Sequence, residues 1–225
     1  MVTVLGYQGG WFAKKQIDPV DSMFLNASGA TTSHPSEEGP LTRLDDYDRR
    51  GYSPQASIAR RVAWYVVHAL FFDSCLLPVS APKVWLLRAF GARMGRRIVI
   101  KPRVRIKYPW LLSVGDFAWI GEGSWIDNLA KVTIGAHACV SQDAYLLTGN
   151  HDYRDLRFGL ITAPIQLEDG AWVGARAIVC PGVTLKRMSV LTAGSILTAT
   201  TEEYGIYRGN PAALVKRRSL RGERI

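Results

Sequence analysis

Cysteine is scarce in this chain: three in 225 residues, Cys75, Cys139 and Cys180, far apart and in no C-x-x-C pair. Such spacing excludes a disulfide framework and a cysteine-built zinc site, and fits reduced, buried thiols in a cytosolic protein. Acidic residues are in deficit, 19 against 28 Lys and Arg, which leaves a net charge of +9. A surplus of this size points to anionic company: nucleic acid, an anionic membrane surface or a phosphorylated small molecule. No uninterrupted apolar run reaches the roughly 18 to 20 residues of a membrane span. The first twenty residues carry Lys14, Lys15 and Asp18 and no apolar core ending in a small-residue cleavage site, so they do not read as a secretory signal. Nucleotide loops of the G-x-x-x-x-G-K-[ST] and G-x-G-x-x-G kinds are absent, as is a G-x-S-x-G nucleophile turn.

What is present falls into four stretches. Residues 1–55, with "NASGATTSHPSEEGP" near their centre, offer little to bury and read as a flexible or loosely docked arm. Residues 56–97 change character. "SIARRVAWYVVHALFFDSC" and "SAPKVWLLRAFGARMG" have a helical look, each with a Ser start and with Gly91 or Gly95 as a stop. The first sets Arg60 and Arg61 ahead of an apolar run from Val62 to Phe72, which suits packing against the rest of the protein or lying on a membrane surface. Residues 98–201 obey a strict period, and residues 202–225 form a tail.

That period is six. Val114, Ile120 and Ile126 are six apart, as are Ile134, Val140 and Leu146, and then Leu167, Val173, Val179, Leu185, Leu191 and Leu197. Four places after most of these sits a small residue: Ala118, Ser124, Ala130, Ala138, Ala144, Ala171, Ala177, Ser189 and Ser195. A helix needs apolar residues at three and four, and hairpin sheets place turns every eight to twelve residues; six is one short strand plus one turn. Three such units close a triangular coil of about eighteen residues, an all-β solenoid with the aliphatic and the small side chain pointing inward. Gly115, Gly121, Gly135 and Gly174, each directly after an aliphatic, are expected to serve the sharp bends at the corners. A coil cannot bury its own ends, so the helical segment and the tail are the expected caps.

One stretch breaks the period. "LLTGNHDYRD" follows Leu146, and the beat resumes only at Leu167, so residues 149–166 are expected to leave the triangle as an extruded loop. A second, two-residue insertion lies between Ile126 and Ile134, in "WIDNLAKV". Of four histidines, only His151 sits at the long break; His137 takes an outward place in a hexad, His68 lies in the apolar helix and His34 in the arm.

These residues resemble the hexapeptide-repeat acyltransferases, whose hallmark is an [LIV]-G-x-x-[AST]-x repeat wound as a left-handed parallel β-helix. The likeness covers residues 98–218 and ends on "GNPAALVKRR"; within the family it is greatest to the sugar O-acetyltransferases of the colanic acid biosynthesis type. "VIKPRVRIKYPWLLSVGD", "WIDNLAKVTIG" and "PIQLEDGAWVGARAIVCPGVTL" carry it, and "SPQASIARRVAWYVVHALFF" extends it upstream. The resemblance implies transfer of an acetyl group from acetyl-CoA to a saccharide hydroxyl by a cytoplasmic homotrimer with its sites between neighbouring coils. The basic surplus then serves the phosphates of coenzyme A, not nucleic acid. If the acceptor is lipid-linked, the apolar helix is a candidate contact to the inner membrane face. No metal is expected, because the zinc-dependent carbonic anhydrase version of the scaffold needs three histidines and only His137 and His151 lie in the repeat.

Acetyl transfer to an alcohol needs a base, donors for the developing oxyanion and alignment of two substrates. By resemblance His151, following a T-G dipeptide in the extruded loop, is the general base, a role suited to imidazole at neutral pH. Asp152 and Asp155 are candidates to orient it or are ordinary loop carboxylates. For the donor, the family's motifs map Trp172 to the pantetheine channel, the Ala175 N–H to the thioester oxygen, and Ala193 and Thr198 along the coenzyme. Where relatives carry Lys after that threonine this chain has Ala199, leaving Lys216, Arg217 or Arg208 to meet a phosphate. For the acceptor, Asp127, Asn128 and Tyr153 are the candidates. Without a Ser nucleophile turn, direct transfer in a ternary complex is expected. An antibiotic or amino-sugar acceptor, and a non-catalytic solenoid, remain the alternatives.

Overall fold

In a computed structural model that describes residues 39–74 and 77–220, the hexads wind into a parallel β-solenoid of three faces. The readings made for residues 1–38 and 221–225, for His34 and for Cys75 lie outside the described residues. The first face stacks Arg93–Met94, Leu112–Val114, Val132–Ile134, Ile165–Leu167 and Thr184–Leu185; the third stacks Arg105–Ile106, Trp125–Asp127, Tyr145–Leu147, Ile178–Val179 and Ile196–Leu197. Between them the second face runs from Val99–Ile100 through Trp119–Ile120, Cys139–Val140, Trp172–Val173 and Val190–Leu191 to Gly205–Gly209, where Ala212–Arg217 closes it antiparallel.

Register follows the period directly. Ile120 stacks on Val140 and Val140 on Val173, while Ile126, Leu146, Val179 and Leu197 stack in the third face. All twelve aliphatic residues of the hexads are buried, as are the small residues four places on, except Ala130. Ala130 is half-buried because the insertion before it moves it off the lattice, and its N–H goes to Thr148 Oγ1 at 3.0 Å.

Gly115, Gly121, Gly135 and Gly174 do something other than take the corner bend. The left-handed conformation falls on the third residue after nine of the twelve aliphatics, at Phe117, His137, Asp143, Arg176 and Met188 as well as at Gly123, Gly170, Gly182 and Gly194. The glycines directly after the aliphatics are needed for close approach instead: a Cβ on Gly115 would stand 2.5 Å from Ala136 N, and one on Gly174 2.5 Å from Ala193 N. Neighbouring coils meet backbone to backbone at these points.

Both ends are capped. Helix α1 (Ile58–His68) starts at Ser57, whose hydroxyl accepts the Arg60 N–H, and α2 (Ser80–Ala89) is stopped by Gly91 at φ +92°. The helices satisfy the open edge of the first coil: Trp64 Nε1 donates to Ile106 O at 2.9 Å, His68 Nε2 accepts the Ile106 N–H at 3.0 Å, and Lys83 Nζ donates to Lys101 O at 3.0 Å. Packing therefore takes one side of α1, burying Trp64 with Phe72, while Ile58, Val62, Tyr65, Val66 and Leu70 stay exposed along the other. At the far end the Tyr207 ring fills the last coil.

Three boundaries differ from the sequence expectation. The solenoid begins at Arg93, not residue 98, because Arg93–Met94 already pairs with Ser113–Val114. The extruded loop ends before Ile165, which is back in the first face opposite Val132. Residues 40–55 are docked: Arg43 N donates to Leu156 O, Asp48 N to Arg157 O, and Leu160 N to Asp48 O.

Candidate active site

The corner between the third and first faces is where the first three coils leave the hexad. Ile106 to Val114 and Ile126 to Ile134 each take eight residues, and Leu146 to Leu167 takes twenty-one; from Val179 to Leu185 the corner is back to six. Stacked excess chain on one corner has nowhere to go but outward, and it walls a cavity of about 650 Å3. Lys107 and Tyr108 come from the first insertion, Asp127 and Leu129 from the second, and Gly149, Asn150, His151 and Leu160 from the third.

The third insertion is a hairpin. Gly149–His151 pairs antiparallel with Leu160–Thr162, so His151 lies opposite Leu160 on the cavity side. Its ring is sandwiched against Phe158, stacked at 4.2 Å, with Tyr47 at 5.6 Å. His151 Nδ1 lies 3.1 Å from the Phe158 carbonyl oxygen. A carbonyl only accepts, so Nδ1 carries the proton and Nε2 keeps a lone pair.

Asp152 and Asp155 do not orient this ring. Both bind Arg50, at 3.1 and 2.9 Å, and Arg50 thereby holds residues 40–55 on the hairpin. The Asp155 carboxyl is kept below its ordinary pKa by the Arg157 N–H and then by Arg50.

Of the acceptor candidates, Asp127 lines the cavity. Its carboxylate meets Lys107 Nζ at 2.9 Å and receives the Tyr145 hydroxyl at 3.2 Å. Burial, and then the Asp127 charge, push the Tyr145 hydroxyl up to about 12, which keeps it a donor. Asn128 is buried and spent on structure: Oδ1 accepts the Tyr108 N–H and Nδ2 donates to Tyr108 O. Tyr153 points to solvent, 78% exposed, beneath the Arg154 guanidinium, and does not line the cavity.

The donor candidates lie elsewhere on the same chain. Trp172 stands on the outside of the second face, 45% exposed, with Nε1 bonded to Ser141 Oγ at 2.9 Å. Ala175 and Ala193 occupy the next corner one above the other, where Gly194 N donates to Ala175 O. Thr198 is exposed just past the third face, and Lys216 and Arg217 lie on the closing strand, with Arg217 paired to Glu202. One face of the triangle separates Ala175 and Ala193 from the corner that carries His151.

His137 is exposed and stacks on Phe117, and no three His, Cys, Asp or Glu side chains form a metal-binding group among the described residues. Cys139 and Cys180 are free and half-buried, and burial pushes both thiols up. Tyr47, Arg49, Tyr52 and Pro54 of the arm, Arg61 of α1, and Tyr145 also line the cavity. For the arm no periodic signal exists, and Arg61 and Tyr145 look like ordinary helix and strand positions.

A triangular coil of six-residue turns whose one long break carries an imidazole into a cavity defines a hexapeptide-repeat solenoid with a candidate base. No family model matches the chain. WcaF of Escherichia coli K12, named as a colanic acid biosynthesis acetyltransferase, is 37% identical over 155 residues, covering 69% of this chain and 85% of that one. A maltose O-acetyltransferase from Clostridium difficile 630 superposes with a TM-score of 0.64 at 23% identity, covering 72% of this chain and 88% of that one. A hexapeptide-repeat acetyltransferase from Vibrio cholerae, solved with acetyl coenzyme A, gives 0.65 at 22% identity, covering 71% and 87%. The chain belongs to the hexapeptide-repeat acetyltransferases.

Proposed function

We propose that this protein transfers the acetyl group of acetyl-CoA to a hydroxyl of a saccharide, in the making of an exopolysaccharide or another surface glycan. The observation that carries the reading is His151 in the cavity wall with Nδ1 committed to Phe158 O and Nε2 left as base. In the reaction, His151 Nε2 takes the proton of the acceptor hydroxyl as its oxygen bonds to the thioester carbonyl carbon. The carbon–sulfur bond then breaks, and the imidazolium returns the proton to the leaving thiolate. The Ala175 N–H, as an oxyanion donor, and Trp172, Ala193, Thr198, Lys216 and Arg217, as the coenzyme channel, belong to the same proposal.

The two sets of residues sit at different corners of one chain, so a complete site needs the donor corner of a neighbouring copy beside the base corner of this one. In the proposed homotrimer, copies side by side with parallel solenoids would bring them together. The names of the relatives, one for colanic acid and one for maltose, support a sugar acceptor. The test is incubation with acetyl-CoA and a panel of saccharides, following thiol release and acetyl ester on the sugar. Ester on at least one glycan, formed by a trimer in sedimentation, is expected; thiol release with no glycan ester, or activity in a monomer, would refute the respective half.

A further inference from the structure

The cavity beside His151 is lined by three cations, Arg49, Arg61 and Lys107, against one carboxylate, Asp127. Asp127 is already matched by Lys107 at 2.9 Å. Neither Arg49 nor Arg61 has a carboxylate within ion-pair distance among the described residues, and both line the cavity. Three side-chain atoms of the same wall are buried: Asp127 Oδ1, which Lys107 meets, Tyr52 Oη, which lies against Tyr108, and Arg61 Nε, which has no hydrogen-bond partner among the described residues. Buried donors are normally satisfied, because an unmet one destabilises the folded state. Two arginines without a carboxylate partner, lining one space beside the His151 imidazole, describe a wall suited to an anion that the protein itself does not supply.

Resting on the sugar O-acetyltransferase reading, we propose that Arg49 and Arg61, with Tyr52 beside them, form an anion subsite that selects acidic acceptors: a saccharide carrying a carboxylate or a phosphate next to the hydroxyl that His151 deprotonates. The subsite is assembled from two elements outside the solenoid, the arm for Arg49 and Tyr52 and α1 for Arg61, so it is separable from the coil that supports the base. Lys107 holds Asp127 in place and leaves the two arginines for the ligand. The Arg49 and Arg61 guanidiniums meet the anionic oxygens.

Matched acceptors test this with the full chain and acetyl-CoA. Methyl glucoside and methyl galactoside are set against methyl glucuronide and methyl galacturonide, which present a carboxylate, and against glucose 1-phosphate and galactose 1-phosphate, which present a phosphate. At least one acidic arm is expected to exceed its neutral partner in kcat/KM by about tenfold or more, as a charge-assisted bond predicts. Which arm does so identifies the anion. Arg61→Gln and Arg49→Gln should bring that ratio toward one by raising the acceptor KM; Arg49 is exposed, so its variant covers the case in which Arg61→Gln fails to fold. Arg103→Gln, whose parent pairs with Glu122 outside the cavity, should keep the ratio. Equal turnover of neutral and acidic members overturns the anion subsite and leaves sugar acetylation standing. A rise in the acetyl-CoA KM, in place of the acceptor KM, in the arginine variants assigns them to the coenzyme phosphates and also overturns it. Acetylation of no member overturns this proposal together with the reading on which it rests.

Discussion

One carbonyl oxygen, that of Phe158, decides which nitrogen of His151 is free, and it lies seven residues along the chain from the histidine it orients. His151 itself was legible, because it stood alone at a break in a strict period. Its orienting group was not: a backbone carbonyl carries no residue-type signal, whereas the nearby carboxylates that did suggest themselves, Asp152 and Asp155, are drawn off by Arg50. His68 shows the same economy in the cap. Its Nε2 accepts the Ile106 N–H, so the folded protein needs this ring neutral, and burial lowers its pKa despite Asp73 at 3.2 Å. The unfolded chain binds the proton near pH 6.5, so this contribution to stability is whole above about 6.5 and is lost as pH falls below it. Asp116 and Asp155, whose carboxyls are held below the usual range by backbone N–H groups, titrate at lower pH and stay out of that window. The melting temperature of the wild type should therefore drop between about pH 7 and pH 5. That drop should shrink in His68→Gln; an unchanged pH dependence in the variant would remove His68 from the account.

Among the elements, the strands were legible and the insertions only in part. A six-residue period fixes which side chains point inward, and all twelve aliphatics do. The expansion between Ile106 and Val114 precedes the first clear run of hexads and so escapes a search for broken period, yet it supplies Lys107 and Tyr108 to the cavity. Residues 40–55 read as loose because their docking uses backbone N–H groups and charges rather than an apolar stripe. Arg50 is the clasp, bridging Asp152 and Asp155 on the hairpin. Exposed ion pairs contribute little to global stability, but this one fixes a wall of the cavity. Arg50→Ala should leave the melting temperature within a degree or two (~1–2 °C), speed proteolytic cleavage within residues 40–55, and raise the acceptor KM severalfold with the acetyl-CoA KM little changed. Equal change in both constants would mean that the arm does not shape the acceptor side.

For the molecule as a whole, period and caps define the solenoid, while its winding hand comes from family likeness alone, since spacing is the same for either hand. The proposed function depends on a division within that solenoid. Most of the chain is regular and buries its inward residues, and one corner gathers the irregular chain from three coils, the arm and α1 around a single imidazole. Substrate cannot reach the packed interior of a closed coil, so a base would have to be carried out on an extrusion, and the proposed base His151 lies on one. Replacing it tests the account most directly. Under saturating acetyl-CoA and an accepted glycan, His151→Ala should lose about 10²- to 10⁴-fold in kcat while keeping the wild-type melting temperature and oligomeric state. A variant that is equally folded and turns over within a few-fold of wild type would contradict the assignment of His151 as the base.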